Sequence, residues 1–220
     1  MPCIDASAGL RAENPAAIRA SIGAVVLAGG LARRRGGADK ALQPLAGQPL
    51  IAHVLARLAP QVGPIVISAN RCLPEYAAFG YPVLPDALPG FIGPLAGLHA
   101  ALSFSLPAAP SASNTPYLAC LPCDSPCFPM DLIARLHAAL ADQDAEVAVV
   151  RQGERVHPVF CLCRRSVLPR LTRYLERGER RFMAWLQEVG SVCVDFPADA
   201  TEFANFNTLD ELRRASSAST

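Results

Sequence analysis

The chain has 220 residues, 51% of them hydrophobic and 18% charged, with a formal net charge of +1. That composition excludes disorder, and the charge balance excludes a broadly basic nucleic-acid surface or a polyanionic tail. The length suits one α/β domain able to bury a full core.

Residues 1–21 carry Asp5, Arg11, Glu13 and Pro15 where a secretory signal would need a basic start and an apolar core, so they read as a flexible extension of a cytoplasmic protein. The apolar run 22–28 then predicts a buried strand. It breaks into Gly29, Gly30, Arg33, Arg34, Arg35, Gly36, Gly37 and Lys40. Glycine lets backbone N–H groups approach an anion, and arginine and lysine supply countercharge. A strand opening into such a loop is suited to a nucleoside triphosphate. The spacing is neither G-x-x-x-x-G-K-[ST] nor G-x-G-x-x-G.

Further along, Leu50, Val54, Leu55 and Leu58 predict a helix over 49–59, and the run 64–68 predicts a strand with Asn70 just beyond it. A helix is expected at 74–79. A strand at 82–84 ends in Asp86, and a Gly/Pro segment leads into a helix at 94–105. The apolar stretch 93–109 is interrupted by His99, Ser103, Ser105 and prolines, which excludes a membrane span. The segment 107–116 is rich in Pro, Ser and Ala and reads as a surface loop. The strand 117–121 ends in Pro122-Cys123-Asp124-Ser125-Pro126. Prolines fix where the Asp124 carboxylate points, which suits a Mg²⁺ ligand; a turn or N-cap aspartate is the alternative. A helix at 129–141 and a strand at 146–150 follow.

Alternating strands and helices imply a three-layer α/β/α fold with a mostly parallel sheet, whose ligands gather at the carboxyl ends of the strands. The last third departs from this rhythm. A strand over 156–163 need not be parallel. Helices at 165–176 and 181–187, a strand at 191–195 and a closing helix from Leu209 complete a domain spanning 22–215, followed by a frayed tail at 216–220. Eight cysteines include Cys120, Cys123 and Cys127 in a C-x2-C-x3-C run, but a fourth ligand lacks recognisable spacing, so buried or incidental thiols are expected in preference to a metal cluster.

Taken in order, the loop from Leu27 to Lys40, Ala69-Asn70-Arg71, Gly93-Pro94-Leu95-Ala96-Gly97, Pro122-Cys123-Asp124, Gly153-Glu154-Arg155-x-His157-Pro158, Gly178-Glu179-Arg180-Arg181 and Phe203-x-Asn205-x-Asn207-Thr208 resemble the molybdenum cofactor guanylyltransferases. The resemblance implies transfer of GMP from GTP to the terminal phosphate of molybdenum-bearing molybdopterin, with release of pyrophosphate. It implies that Leu27, Ala28, Gly29 and Gly30 hold the nucleotide, that Lys40, Asn70, Asp86 and Asp124 contact GTP, and that Asp124 binds Mg²⁺. Arg33 and Lys40 are expected to steady the departing pyrophosphate.

On the molybdopterin side stand His157, Arg180, Arg181, Asn205 and Asn207. Each has a structural alternative: a satisfied buried histidine, a solvated helix start, or caps of the last helix. Proteins that deliver molybdopterin and mature molybdoenzymes are implied as partners; nucleic acid and membrane are not. Arg35 stands where the family has an apolar residue, and Leu209 replaces a proline. A cytidylyltransferase, a sugar-phosphate nucleotidyltransferase and a non-catalytic molybdopterin carrier are the rival readings.

Overall fold

The computed structural model describes residues 14–28, 39–86, 93–105, 115–198 and 202–204. Gly29, Gly30, Arg33, Arg35, Asn205, Asn207, most of the 107–116 loop, the closing helix expected from Leu209 and the tail lie outside the described residues.

The chain enters through α1 (Pro15–Ser21), where the sequence led to an expectation of a loose extension through residue 21. The reason is local. Pro15 sits at the first helical position, and the Asn14 side chain accepts from the Ala16 N–H at 3.0 Å. Arg19 Nε then donates to the Val62 carbonyl at 3.0 Å. β1 (Ile22–Leu27) follows without a break. A 3-10 turn at Lys40–Leu42 leads to the short pair β2 (Pro44–Leu45) and β3 (Gln48–Pro49), and then to α2 (Leu50–Leu58). Next come β4 (Ile65–Ser68), α3 (Leu73–Ala77), β5 (Val83–Leu84), α4 (Pro94–Ser103), β6 (Tyr117–Pro122) and α5 (Leu132–Asp142). The remainder is β7 (Val147–Gln152), β8 (Arg155–Arg164), α6 (Leu168–Glu176), α7 (Phe182–Val189) and β9 (Val192–Phe196). Elements fall within a few residues of where periodicity places them.

One sheet of seven strands runs in the order β5-β4-β1-β6-β8-β7-β9. β8 pairs antiparallel with both β6 and β7; all other neighbours pair parallel. The β7–β8 ladder shifts register between Val149 and Val150, so that residues 158–160 of β8 form a bulge.

Both faces of the sheet are covered, as the unbroken burial along β1 requires. Ala24 and Val26 face one core with Ile51, Val54 and Leu58 of α2 and Leu132, Ile133 and Leu136 of α5. Val25 and Val66 face the other, with Leu95 and Leu98 of α4, Leu171 of α6 and Trp185 of α7. The three motif cysteines diverge accordingly: Cys120 lies in the second core, Cys123 packs against the first, and Cys127 is exposed. Cys161 and Cys163 are buried beside Cys120 as small apolar groups. Among the described residues no helix is long and apolar enough to cross a membrane.

Candidate active site

The register of the parallel strands aligns their carboxyl ends. Leu27 is level with Ser68 on one side and Pro122 on the other, and Ser68 is level with Leu84. The ladder continues one residue further, with Ala28 N donating to Ser68 O at 2.8 Å, Ala69 N to Leu84 O at 3.0 Å, and Cys123 N to Leu27 O at 3.2 Å. The residues after these strands therefore emerge along one rim: Ala28, Asn70, Asp86 and Asp124. Close packing beneath the rim depends on Gly97 of α4. A Cβ there would lie 2.5 Å from Ser68 Oγ and 2.8 Å from Leu27 Cδ2, so only glycine lets the helix approach the strand ends this closely.

Among the described residues, two side-chain pairs involve these rim positions. Lys40 Nζ donates to Asp124 Oδ2 at 2.6 Å, with the side chains 31% and 20% exposed. Residues 84 apart in sequence are thus joined by one short, charge-assisted contact. Asp39 holds the lysine's backbone in place. Its carboxylate accepts from Ala41 N at 3.1 Å and caps the 3-10 turn that Lys40 opens. On the far oxygen of Asp124, the buried Ser125 hydroxyl lies 3.5 Å from Oδ1, a long contact.

The second pair is a two-point brace. Asn70 Nδ2 donates to Asp86 Oδ2 at 2.8 Å, and Asp86 N donates to Asn70 Oδ1 at 2.8 Å. The amide that the sequence marks as a ligand for base or sugar thereby fixes the aspartate, leaving the Asp86 carboxylate oriented at the rim.

Two further residues adjoin this corner: Cys123, which the sequence marks as a buried or incidental thiol, and Tyr76, which it does not mark. The Cys123 thiol is pushed well above its ordinary range, chiefly by burial and then by the Asp124 and Asp39 carboxylates. It stays neutral and adds no anion to the site. Tyr76, fully buried under the same corner, has its phenol pushed up by burial and then by Asp39, and among the described residues its oxygen makes no hydrogen bond of good geometry. The Asp-Lys dipeptide could have signalled the cap; nothing in the sequence signals the tyrosine, which reaches the site only through packing.

The residues expected on the molybdopterin side are placed less uniformly. Because β8 runs opposite to its neighbours, its start and the β7–β8 turn lie at the same rim as Asp124. His157 itself is only 7% exposed. Its ring centroid lies 5.4 Å from that of Phe203 and 6.4 Å from that of Phe160, so aromatic rings wall it in, and burial pushes its pKa below the usual value. The bulge at 158–160 borders a cavity of about 220 Å³ lined by Pro122 and residues 155–160. β8 carries the chain away from that rim, its Arg164 level with Tyr117 at the start of β6, and α6, a turn holding Arg180 and Arg181, and α7 then lead into β9. Arg180 Nη1 donates to the Leu175 carbonyl at 2.8 Å; Arg181 is exposed and its carbonyl accepts from Tyr174.

A family model described as the MobA-like NTP transferase domain matches residues 24–189. The chain belongs to that family. A relative from Methylibium petroleiphilum, named a molybdenum cofactor guanylyltransferase, is 47% identical over 198 residues, covering 86% of this chain and 93% of its own. Among solved structures, the molybdopterin-guanine dinucleotide biosynthesis protein A of Archaeoglobus fulgidus superposes with a TM-score of 0.67 at 23% identity, over 90% of this chain and 98% of its own. A Mycobacterium tuberculosis protein solved with manganese does so with a TM-score of 0.62 at 17% identity, over 89% and 97%. At those identities the two structures establish the fold, a Rossmann-like α/β sheet with one reversed strand.

Proposed function

We propose that this NTP transferase is a molybdenum cofactor guanylyltransferase, which joins GMP from GTP to the terminal phosphate of molybdenum-bearing molybdopterin. The observation that carries the reading is the Lys40–Asp124 contact at 2.6 Å on the rim where β1 and β6 end, in a family member whose relative bears that name.

An oxygen of the acceptor phosphate attacks the α-phosphorus of GTP, the bond between the α-phosphorus and its bridging oxygen breaks, and pyrophosphate leaves. The acceptor oxygen is already anionic, so no strong general base is required. What the protein must supply is alignment of two anions and neutralisation of their charge. Asp124 fits a divalent ion: it is a partly exposed carboxylate whose Oδ2 already holds a cation, and a hard ion bound there takes its other oxygens from phosphates and water. Mg²⁺ held by Asp124 would withdraw charge from the α-phosphate. Lys40, with Arg33 from the glycine-rich loop, steadies the leaving pyrophosphate. Leu27, Ala28, Gly29 and Gly30 hold the nucleotide through backbone groups, and Asp86, braced by Asn70, faces the base or ribose. Arg180, Arg181, Asn205 and Asn207 take the acceptor side. The reaction suits a cytoplasmic enzyme with access to GTP, acting between proteins that supply molybdopterin and proteins that accept the finished cofactor.

A nucleotide panel tests this. GTP with Mg²⁺ is expected to raise the melting temperature more than CTP, ATP or UTP, and to release pyrophosphate when molybdopterin is added. Equal shifts with all four nucleotides would defeat the base assignment. Molybdopterin binding without pyrophosphate release from any of them would make the protein a carrier.

A further inference from the structure

We infer that Lys40 is a built-in competitor for the divalent ion on Asp124, so that the ion binds well only after a nucleotide has arrived. The inference rests on the reading of Asp124 as the metal ligand and extends it to the order in which the guests assemble.

The ammonium lies 2.6 Å from Asp124 Oδ2, with both side chains more than two-thirds buried. The carboxylate's charge is therefore neutralised before any metal is present. A divalent ion on Oδ2 has to evict the ammonium. One on Oδ1 sits a carboxylate's width from it, in a partly buried corner where repulsion between cations is weakly screened. The Asp39 carboxylate does not relieve this, since it already accepts from the backbone N–H of Ala41.

A triphosphate changes the balance. Its oxygens offer the ammonium several anionic partners at once, and lysine's flexible four-carbon stem lets the head swing while the backbone stays in place. That backbone is independently held: Leu42 N donates to Asp39 O at 3.2 Å and Gln43 N to Lys40 O at 3.1 Å. The carboxylate thus released becomes available to the ion. Coupling of this kind is reciprocal, so the metal in turn tightens the nucleotide.

The test is Mn²⁺ binding to the intact protein, read by electron paramagnetic resonance, with and without GTP. In nucleotide-free protein, Lys40→Met and Lys40→Gln are expected to bind Mn²⁺ at least about tenfold tighter than the unmodified protein, while Lys40→Arg, which keeps the charge, stays weak. Adding Asp124→Asn to Lys40→Met should abolish the gain. GTP should tighten Mn²⁺ by a larger factor in the unmodified protein than in Lys40→Met. Melting curves identify any variant that has lost its fold, and the two neutral variants serve as independent checks. Equal Mn²⁺ affinity across the lysine series would overturn the inference while leaving the transfer reaction to the nucleotide panel. A gain that survives Asp124→Asn would overturn both the competition and the metal role of Asp124.

Discussion

Asp124 occupies a position where a change of one atom separates structure from chemistry. Among the described residues it belongs to neither core, and its carboxylate meets the Lys40 ammonium and, at longer range, the Ser125 hydroxyl. Asp124→Asn keeps the size and loses the charge. It is expected to leave the melting temperature nearly unchanged and to lower pyrophosphate release by about 10²-fold or more, the scale of a lost electrostatic contact in a transition state. Turnover close to that of the unmodified protein would remove Asp124 from the metal role. The residue was legible in the sequence because prolines bracket it at a strand end. That Lys40 reaches it was not legible, since the pair is assembled by a β1–β6 register which no local pattern encodes. Asn70 is the converse case. Its position was evident, but the sequence could not tell that both ends of its amide are committed to Asp86.

Among the elements, α4 shows how packing at a distance sets the rim. Its apolar residues face the core shared with α6 and α7, and Gly97 sits where the helix crosses the ends of β1 and β4. Gly97→Ala adds one methyl group against Ser68 and Leu27. It is expected to destabilise the protein by about 1–3 kcal/mol, because Ser68 is short and lies in a central strand with little room to yield. Leu27 and Ser68 lead directly into the rim, so the same variant should also weaken GTP binding, measurable by calorimetry beside a denaturant melt. GTP affinity identical to that of the unmodified protein would show the rim to be insulated from α4. Strand and helix positions were readable from periodicity because both faces of this sheet are covered, which gives short apolar runs alternating with amphipathic helices. α1 was missed because its seven residues carry no buried stripe; its cap, Asn14 before Pro15, was the available signal.

For the molecule as a whole, acid should be the informative stress. His157 and His99 are both buried, and burial lowers the pKa of each below the ordinary 6.5. The unfolded chain therefore takes up protons at a higher pH than the folded one. Their contribution to stability is complete above about pH 6.5 and is lost as pH falls from there towards the folded values. Melting temperature should decline between pH 7 and pH 5, and His157→Phe, which keeps a ring against Phe160 and Phe203, should flatten that decline. A slope unaltered by the substitution would assign it to other groups. The fold class was legible at this scale, including a strand in the last third that need not be parallel. Its exact place, inserted between β6 and β7, depends on pairings between distant segments.

That reversed strand has an evolutionary corollary. It partitions the carboxyl rim into two stretches: one built by the four strands from β5 to β6, which leads into Asn70, Asp86 and Asp124, and one built by β8, β7 and β9. Insertions or substitutions in the second stretch can reshape the surface beside Pro122 and His157 while leaving the Lys40–Asp124 corner as it stands.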